Sequence, residues 1–206
     1  MNSYTTLRSV VESDEDFLLA AIPFYADDYT TVLDVTYNQG SIWGKHRAFP
    51  IGIDLVPKFA KDLCADNRCL PIRSESVDVI VYDPPHLSGD HATKGSSKIW
   101  EERYGLKLDL KGDNTSALYL PFLLEAQRVL KPRGIVLAKV ANHVHNHKFQ
   151  WSVVDLVLAI RKSGLTPCDE VVKTRKNSII SSKWVNAHHA RRYHCSWIVA
   201  RKGGCE

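Results

Sequence analysis

Apolar and polar positions alternate along this chain with two periods. Phe17-Leu18-Leu19-Ala20-Ala21-Ile22 follows Ser13 and Asp16, the spacing of an N-cap pair, and predicts a first helix ending at Pro23. Short runs rich in β-branched residues predict strands over 31–35, 49–54 and 77–82. Pro57 opens a predicted short helix running to about Leu63. Residues 117–130 have helical spacing with Lys131-Pro132-Arg133-Gly134 as their stop, and 135–140 read as the next strand. An amphipathic helix is expected over 151–163, closed by Gly164, with two further strands at Val171-Val172 and over 193–200. Strands alternating with helices predict an α/β, doubly wound, mostly parallel seven-stranded sheet. The last two strands have no helix between them, which allows one antiparallel C-terminal strand.

Length and composition narrow the class. A chain of 206 residues supports one domain with a sizeable core, so 1–206 is expected to be a single unit. No apolar run approaches the roughly 20 residues that span a bilayer, and no basic-then-apolar leader opens the chain. The five cysteines (Cys64, Cys69, Cys168, Cys195, Cys205) are odd in number and lack a C-x-x-C pair. They read as reduced thiols of a cytoplasmic protein rather than a disulfide frame or a zinc site. No G-x-x-x-x-G-K-[ST] loop is present, which disfavours a nucleoside triphosphatase.

The net charge of +4 is mild, but its distribution is not. Residues 1–30 carry one cation against six carboxylates, whereas 171–206 carry eight cations against Glu206 alone. A basic end suits a polyanionic partner. Between 87 and 114 lies a polar stretch dotted with Gly89, Gly95, Gly105 and Gly112, long enough to be a functional loop.

The chemistry is concentrated at Val79-Ile80-Val81-Tyr82-Asp83-Pro84-Pro85-His86. Two successive prolines cannot continue a sheet ladder, so the predicted strand stops in a rigid turn bearing a carboxylate, free carbonyls and a ring. In open α/β sheets, ligands bind at that carboxyl edge. Asp83-Pro84-Pro85-His86 resembles the (Asp/Asn/Ser)-Pro-Pro-(Tyr/Phe/Trp) signature of amino-group methyltransferases that use S-adenosylmethionine (SAM), such as the N6-adenine and N4-cytosine DNA enzymes. Histidine at the fourth position departs from that signature.

The resemblance extends to the upstream half. Asp34-Val35-Thr36-Tyr37-Asn38-Gln39-Gly40 sits where a strand turns, and the family places there an acidic residue and a glycine-rich turn against the cofactor. Asn38 stands where the first glycine is usual, and asparagine tolerates positive φ better than most residues. Asp54 follows Asp34 by 20 residues, at a strand end where a carboxylate accepts ribose hydroxyls or caps the next helix. Asp66 and Asn67 fall where the family meets the adenine amino group. The resemblance thus implies cofactor contacts from Asp34, Thr36, Asn38, Gly40, Asp54, Asp66, Asn67 and Asp83.

By the same resemblance, Asp83 and the carbonyl of Pro84 would accept the protons of a nucleobase amine, with Pro85 stiffening the turn and His86 stacking on the base. A base in a duplex would first be flipped out. Substrate contacts are expected from Lys94 and Lys98 in the 87–114 loop, and from Arg175, Lys176, Lys183, Arg191 and Arg192 in the basic segment 174–192. His143-Val144-His145-Asn146-His147 could place three imidazoles on one face, but lacks a nearby cysteine or carboxylate, and no metal is expected. The expected activity is methyl transfer to the exocyclic amine of a nucleobase, adenine N6 in DNA first. RNA guanine N2 or adenine N6, cytosine N4, and a catalytically silent nucleic-acid-binding SAM fold stay open.

Overall fold

The computed structural model describes residues 6–26, 30–85, 102, 104, 116–145, 147–175, 189–190 and 192–205. In chain order its elements are β1 (Val10–Val11), α1 (Asp14–Tyr25), β2 (Val32–Asp34), β3 (Ile51–Asp54), β4 (Leu63–Cys64), β5 (Val77–Tyr82), α2 (Ser116–Val129), β6 (Leu130–Val140), β7 (His143–His145), β8 (Lys148–Gln150), α3 (Ser152–Lys162), β9 (Leu165–Thr174) and β10 (His194–Lys202). Eight strands form one sheet in the order β1-β9-β10-β6-β5-β2-β3-β4, and β7 and β8 form a separate hairpin.

β5 lies in the middle, parallel to β2 (Leu33↔Ile80) and to β6 (Ile80↔Val136). Its side chains are buried on both faces, which explains the unbroken apolar run. Ile80 and Tyr82 join Leu33, Phe122, Leu123, Val136, Leu156 and Ile160 in the core beneath α2 and α3. Val79 and Val81 face Phe17, Leu18, Trp43, Leu137 and Trp197 on the opposite side, beneath α1. β10 is antiparallel to both β6 and β9, as the missing helix between the last strands predicts. The eighth strand is β1, parallel to β9 at Val10↔Val172; two residues are too short to stand out as a period.

Several boundaries differ from the sequence pattern. α1 is capped by Ser13, whose hydroxyl accepts from Asp16 N at 3.2 Å, but it runs through Pro23 to Tyr25. The carbonyl that Pro23 leaves without a donor belongs to Leu19, which is exposed and can turn to water, so core packing of Ile22 carries the helix on. Pro57 opens only a 3₁₀ turn, Pro57–Phe59; the chain then extends so that Leu63 pairs with Ile53. Lys131-Pro132-Arg133-Gly134 does not separate helix from strand. It forms an irregular stretch inside β6, with Arg133 at φ +68° and the register jumping between Val77↔Leu130 and Val79↔Ile135.

The reading of all cysteines as reduced thiols is overturned at one pair. Cys168 on β9 and Cys205 beyond β10 form a disulfide, 37 residues apart, with Cα atoms 5.6 Å from each other. The pairing follows from the β9–β10 register, Ala200↔Pro167, which no local spacing encodes. Cys64, Cys69 and Cys195 are free thiols. Alkylation of the denatured, unreduced protein is therefore expected to label three of the five cysteines, rising to five after reduction. Five labels before reduction would show that the bridge does not form.

Candidate active site at the carboxyl edge of the sheet

β2, β3 and β5 run parallel and end at one edge, so Asp34, Asp54 and Asp83 arrive there together. Beyond β2 the backbone enters the left-handed region at Asn38 (φ 38°), Gln39 (φ 66°) and Gly40 (φ 66°). A Cβ on Gly40 would lie 2.7 Å from the Tyr37 hydroxyl and 2.9 Å from Arg47 Cβ, so both φ and space demand glycine. Asn38 N donates to Asp54 Oδ2 at 2.9 Å, and Tyr37 N donates to Ile53 O at 3.0 Å, binding the turn to the end of β3. Asp54 Oδ1 accepts from Val56 N at 2.9 Å, so this carboxylate does cap the following turn. Each of its oxygens retains a further lone pair for a ligand hydroxyl.

Asp34 is fully buried behind this turn. Its Oδ2 accepts from Trp43 Nε1 at 2.6 Å and its Oδ1 from Thr36 N at 3.0 Å. Burial pushes its carboxyl up to about 7, opposed by the Trp43 and Thr36 hydrogen bonds and reinforced by the charges of Asp83 and Asp54. A raised carboxyl contributes stability that is fully present below the unfolded value of about 3.9 and is lost as pH rises through the folded value. Unfolding free energies of the unliganded protein from urea titrations are expected to fall from pH 4 to pH 7 by up to about 1.4 kcal/mol per pH unit relative to Asp34→Asn. Parallel pH profiles for the two proteins would refute the assignment.

Thr36 connects the cofactor-side turn to the D-P-P turn. While its own N–H holds Asp34, its Oγ1 accepts from Asp83 N at 2.7 Å. The Asp83 carboxylate is held from behind by Lys139 on β6, a residue the sequence pattern presents only as one position in an apolar strand. Lys139 is 5% exposed, and its Nζ lies 3.1 Å from Asp83 Oδ2 and 3.0 Å from Asp14 Oδ2. Asp14 is further bound by Trp197 Nε1 at 3.0 Å and Lys173 Nζ at 3.4 Å. Burial acts to lower the Lys139 pKa, but Asp83 and Asp14 outweigh it and leave it raised, so the ammonium stays charged. Removing one partner of a buried ion pair costs roughly 3–5 kcal/mol. Lys139→Met is expected to lose stability on that scale, measured by urea unfolding, and part of the loss should return when Asp14→Asn is added. No recovery in the double variant would mean that the lysine acts by packing alone.

One cavity at this edge is lined by Thr36, Asn38, Asp54, Asp66, Asn67, Asp83, Pro84 and Pro85, so most of the candidates for the cofactor and the D-P-P turn share one space. Asp34 and Gly40 are not among its lining residues; they shape its wall from behind. Tyr82 and Tyr104 also line it, as do Leu55, Arg68 and Leu118, which no motif marks. Asp66 is engaged by Arg68, whose guanidinium Nη2 lies 2.6 Å from its Oδ2, and this contact holds its carboxyl below the usual range. Asn67 Nδ2 donates to Val35 O at 3.4 Å. His86, Lys94, Lys98, Lys176, Lys183 and Arg191 lie outside the described residues. Arg175 is tied by its backbone, N to Tyr193 O at 2.6 Å, and Arg192 lies over Phe149 with its guanidinium carbon 3.8 Å from the ring centre. His143 and His145 fall on the β7–β8 hairpin, and among the described residues no three His, Cys, Asp or Glu side chains converge on a metal position.

No family model matches the chain, and no curated protein does. Solved structures do match. A SAM-dependent methyltransferase from Thermotoga maritima, described as a possible histamine N-methyltransferase, aligns with TM-score 0.54 at 14% identity, over 93% of this chain and 88% of that one. A SAM-dependent methyltransferase from Methanosarcina mazei aligns with TM-score 0.53 at 12% identity, over 88% and 96%. The chain spans about half, 51%, of a protein from Thermus thermophilus described as a putative DNA modification methylase, with TM-score 0.45 at 15% identity over 68% of this chain. The fold is that of the class I SAM-dependent methyltransferases: a mostly parallel sheet whose last strand, β10, inserts antiparallel between β9 and β6.

Proposed function

We propose that the protein is a SAM-dependent methyltransferase acting on the exocyclic amine of a nucleobase, with adenine N6 in DNA as the first substrate. The observation that carries this reading is Asp83. It stands at the carboxyl end of the central strand, in the same cavity as Asp54 and the Asn38 turn, and a buried lysine fixes its carboxylate. The donor set suits SAM. Asp54 matches a ribose diol, Asp66 and Asn67 an adenine edge, and the carboxylates of Asp54, Asp66 and Asp83 around one cavity a ligand that is itself cationic.

When bound there, the cofactor supplies an electrophilic methyl group on a sulfonium. The protein's part is positioning and fixed dipoles. An exocyclic amine is a poor nucleophile because its lone pair is delocalised into the ring. Asp83 and the Pro84 carbonyl accept hydrogen bonds from its two N–H groups, which favours a pyramidal nitrogen with a directed lone pair, and the methylated nitrogen then sheds one proton to solvent. Pro84 and Pro85 keep those acceptors from swinging, since both φ angles are closed into rings. Lys139 and the Thr36–Asp83 bond keep the carboxylate from rotating away. The basic residues of 87–114 and 174–192 then hold the phosphates of the strand that carries the base.

The test is methyl transfer from labelled SAM to unmethylated genomic DNA and to total RNA in parallel, with the product nucleoside identified by mass spectrometry. N6-methyladenine in DNA is expected, and Asp83→Ala is expected to lower the rate by about 10²–10³-fold. Label confined to RNA would keep the chemistry and move the substrate. An Asp83→Ala protein that folds, binds SAM and turns over at the wild-type rate would overturn the mechanism.

A further inference from the structure

We infer that the β7–β8 hairpin carries a nucleobase-stacking site centred on Trp151, beside the catalytic edge. The inference rests on the proposed nucleic-acid substrate and names where that strand is gripped. Ala138 pairs with Tyr82, so Val140 at the end of β6 lies alongside the D-P-P turn, and the hairpin leaves the sheet three residues later. It therefore projects from the edge that holds Asp83, one strand over.

Trp151, which follows β8, is 61% exposed, the most exposed large apolar side chain among the described residues. It is not loose, because Phe149 meets it edge to face with ring centres 4.6 Å apart. Phe149 is in turn covered by the Arg192 guanidinium at 3.8 Å. His189 Nε2 lies 2.9 Å from the His147 carbonyl, a second tie between the hairpin and the basic C-terminal segment. A braced indole left open to solvent beside cations is the arrangement that stacks bases and holds phosphates in single-stranded nucleic-acid sites.

Charge supports the same occupant. The stretch 141–154 carries Lys148 and no Asp or Glu, and Arg192 adds a second cation over Phe149; Glu170, which shares a cavity with Asn142 and Val153, accepts from the Ser196 hydroxyl at 2.7 Å. Cations beside an open indole suit a phosphate backbone. Trp151 thus supplies the stacking face, and Arg192, with Lys148 on the same hairpin, supplies cations for the backbone.

The test is binding of a fluorescein-labelled 12-nucleotide single strand by anisotropy, without SAM and in the full-length protein. Trp151→Ala is expected to weaken binding about tenfold with little change in the salt slope, and Trp151→Phe to restore most of it. Arg192→Ala is expected to flatten the salt slope by about one phosphate contact. An abasic strand should bind wild type and Trp151→Ala alike. Wild-type affinity for the base-bearing strand in Trp151→Ala would overturn the inference. The readout needs no turnover: loss of methylation with Trp151-dependent binding intact counts against the proposed reaction alone, whereas normal methylation with Trp151-independent binding counts against this site alone.

Discussion

A lysine ammonium sealed in the interior, between the first helix and the D-P-P turn, is the contact on which the site's geometry depends. Lys139 cannot shed its charge into water, so the sheet must deliver two carboxylates to it, and it does: Asp14 from the start of α1 and Asp83 from the end of β5. The Trp197 indole orients Asp14 from β10. Four elements distant in the chain are thereby held to one another at the point where β5 ends. A carboxylate proposed to accept hydrogen bonds from a weakly basic amine gains from such a mount, because its direction is set in advance. The cost of burying Lys139 with Asp14 and Asp83 is met here by mutual pairing, with Lys173 as a second cation on Asp14, which makes the cluster intolerant of losing a member.

The negative charge at the edge follows a second logic. Asp34, Asp54 and Asp83 are brought within mutual influence by nothing more than parallel strands ending in line. The fold separates them by task. Asp34 is withdrawn into the core, where backbone and indole donors surround it and where burial favours its neutral form near neutral pH. Asp54 is split between the Asn38 turn and the next turn, and it faces the cavity. Asp83 takes the lysine. Three residues of one type, reached by one topological rule, thus acquire a structural, a ligand-facing and a proposed catalytic role from their neighbours alone.

The left-handed turn from Asn38 to Gly40 shows how far a departure from a familiar pattern can go without breaking a fold. Asparagine at the first position is tolerable at φ 38°. Gln39 at φ 66° is a less expected occupant, and the Asp54 carboxylate and Tyr37 carbonyl that bind the flanking amides hold it there. The strict requirement falls on Gly40, where Tyr37 and Arg47 leave no room for a Cβ.

Much of this was legible in the amino-acid sequence. The apolar run of β5, the prolines that end it, the alternation of strands and helices and the acidic residues at strand ends are all local properties. They determine the α/β class and allow the antiparallel last strand, whereas Thr36, Asn38, Asp54, Asp66, Asn67 and Asp83 were singled out by the resemblance to the amino-group methyltransferases. What stayed hidden depends on register and long-range approach. Lys139 reads as one position of a buried strand until Asp14, 125 residues earlier, is set opposite it. The Cys168–Cys205 bridge appears only once β9 and β10 are paired. Pro23 reads as a helix stop because propensity is local, whereas the core contact of Ile22 that overrides it is not. Sequence determines which residues a strand carries to its end; the partner each one meets there is decided by which strands lie side by side, and that is a property of the sheet as a whole.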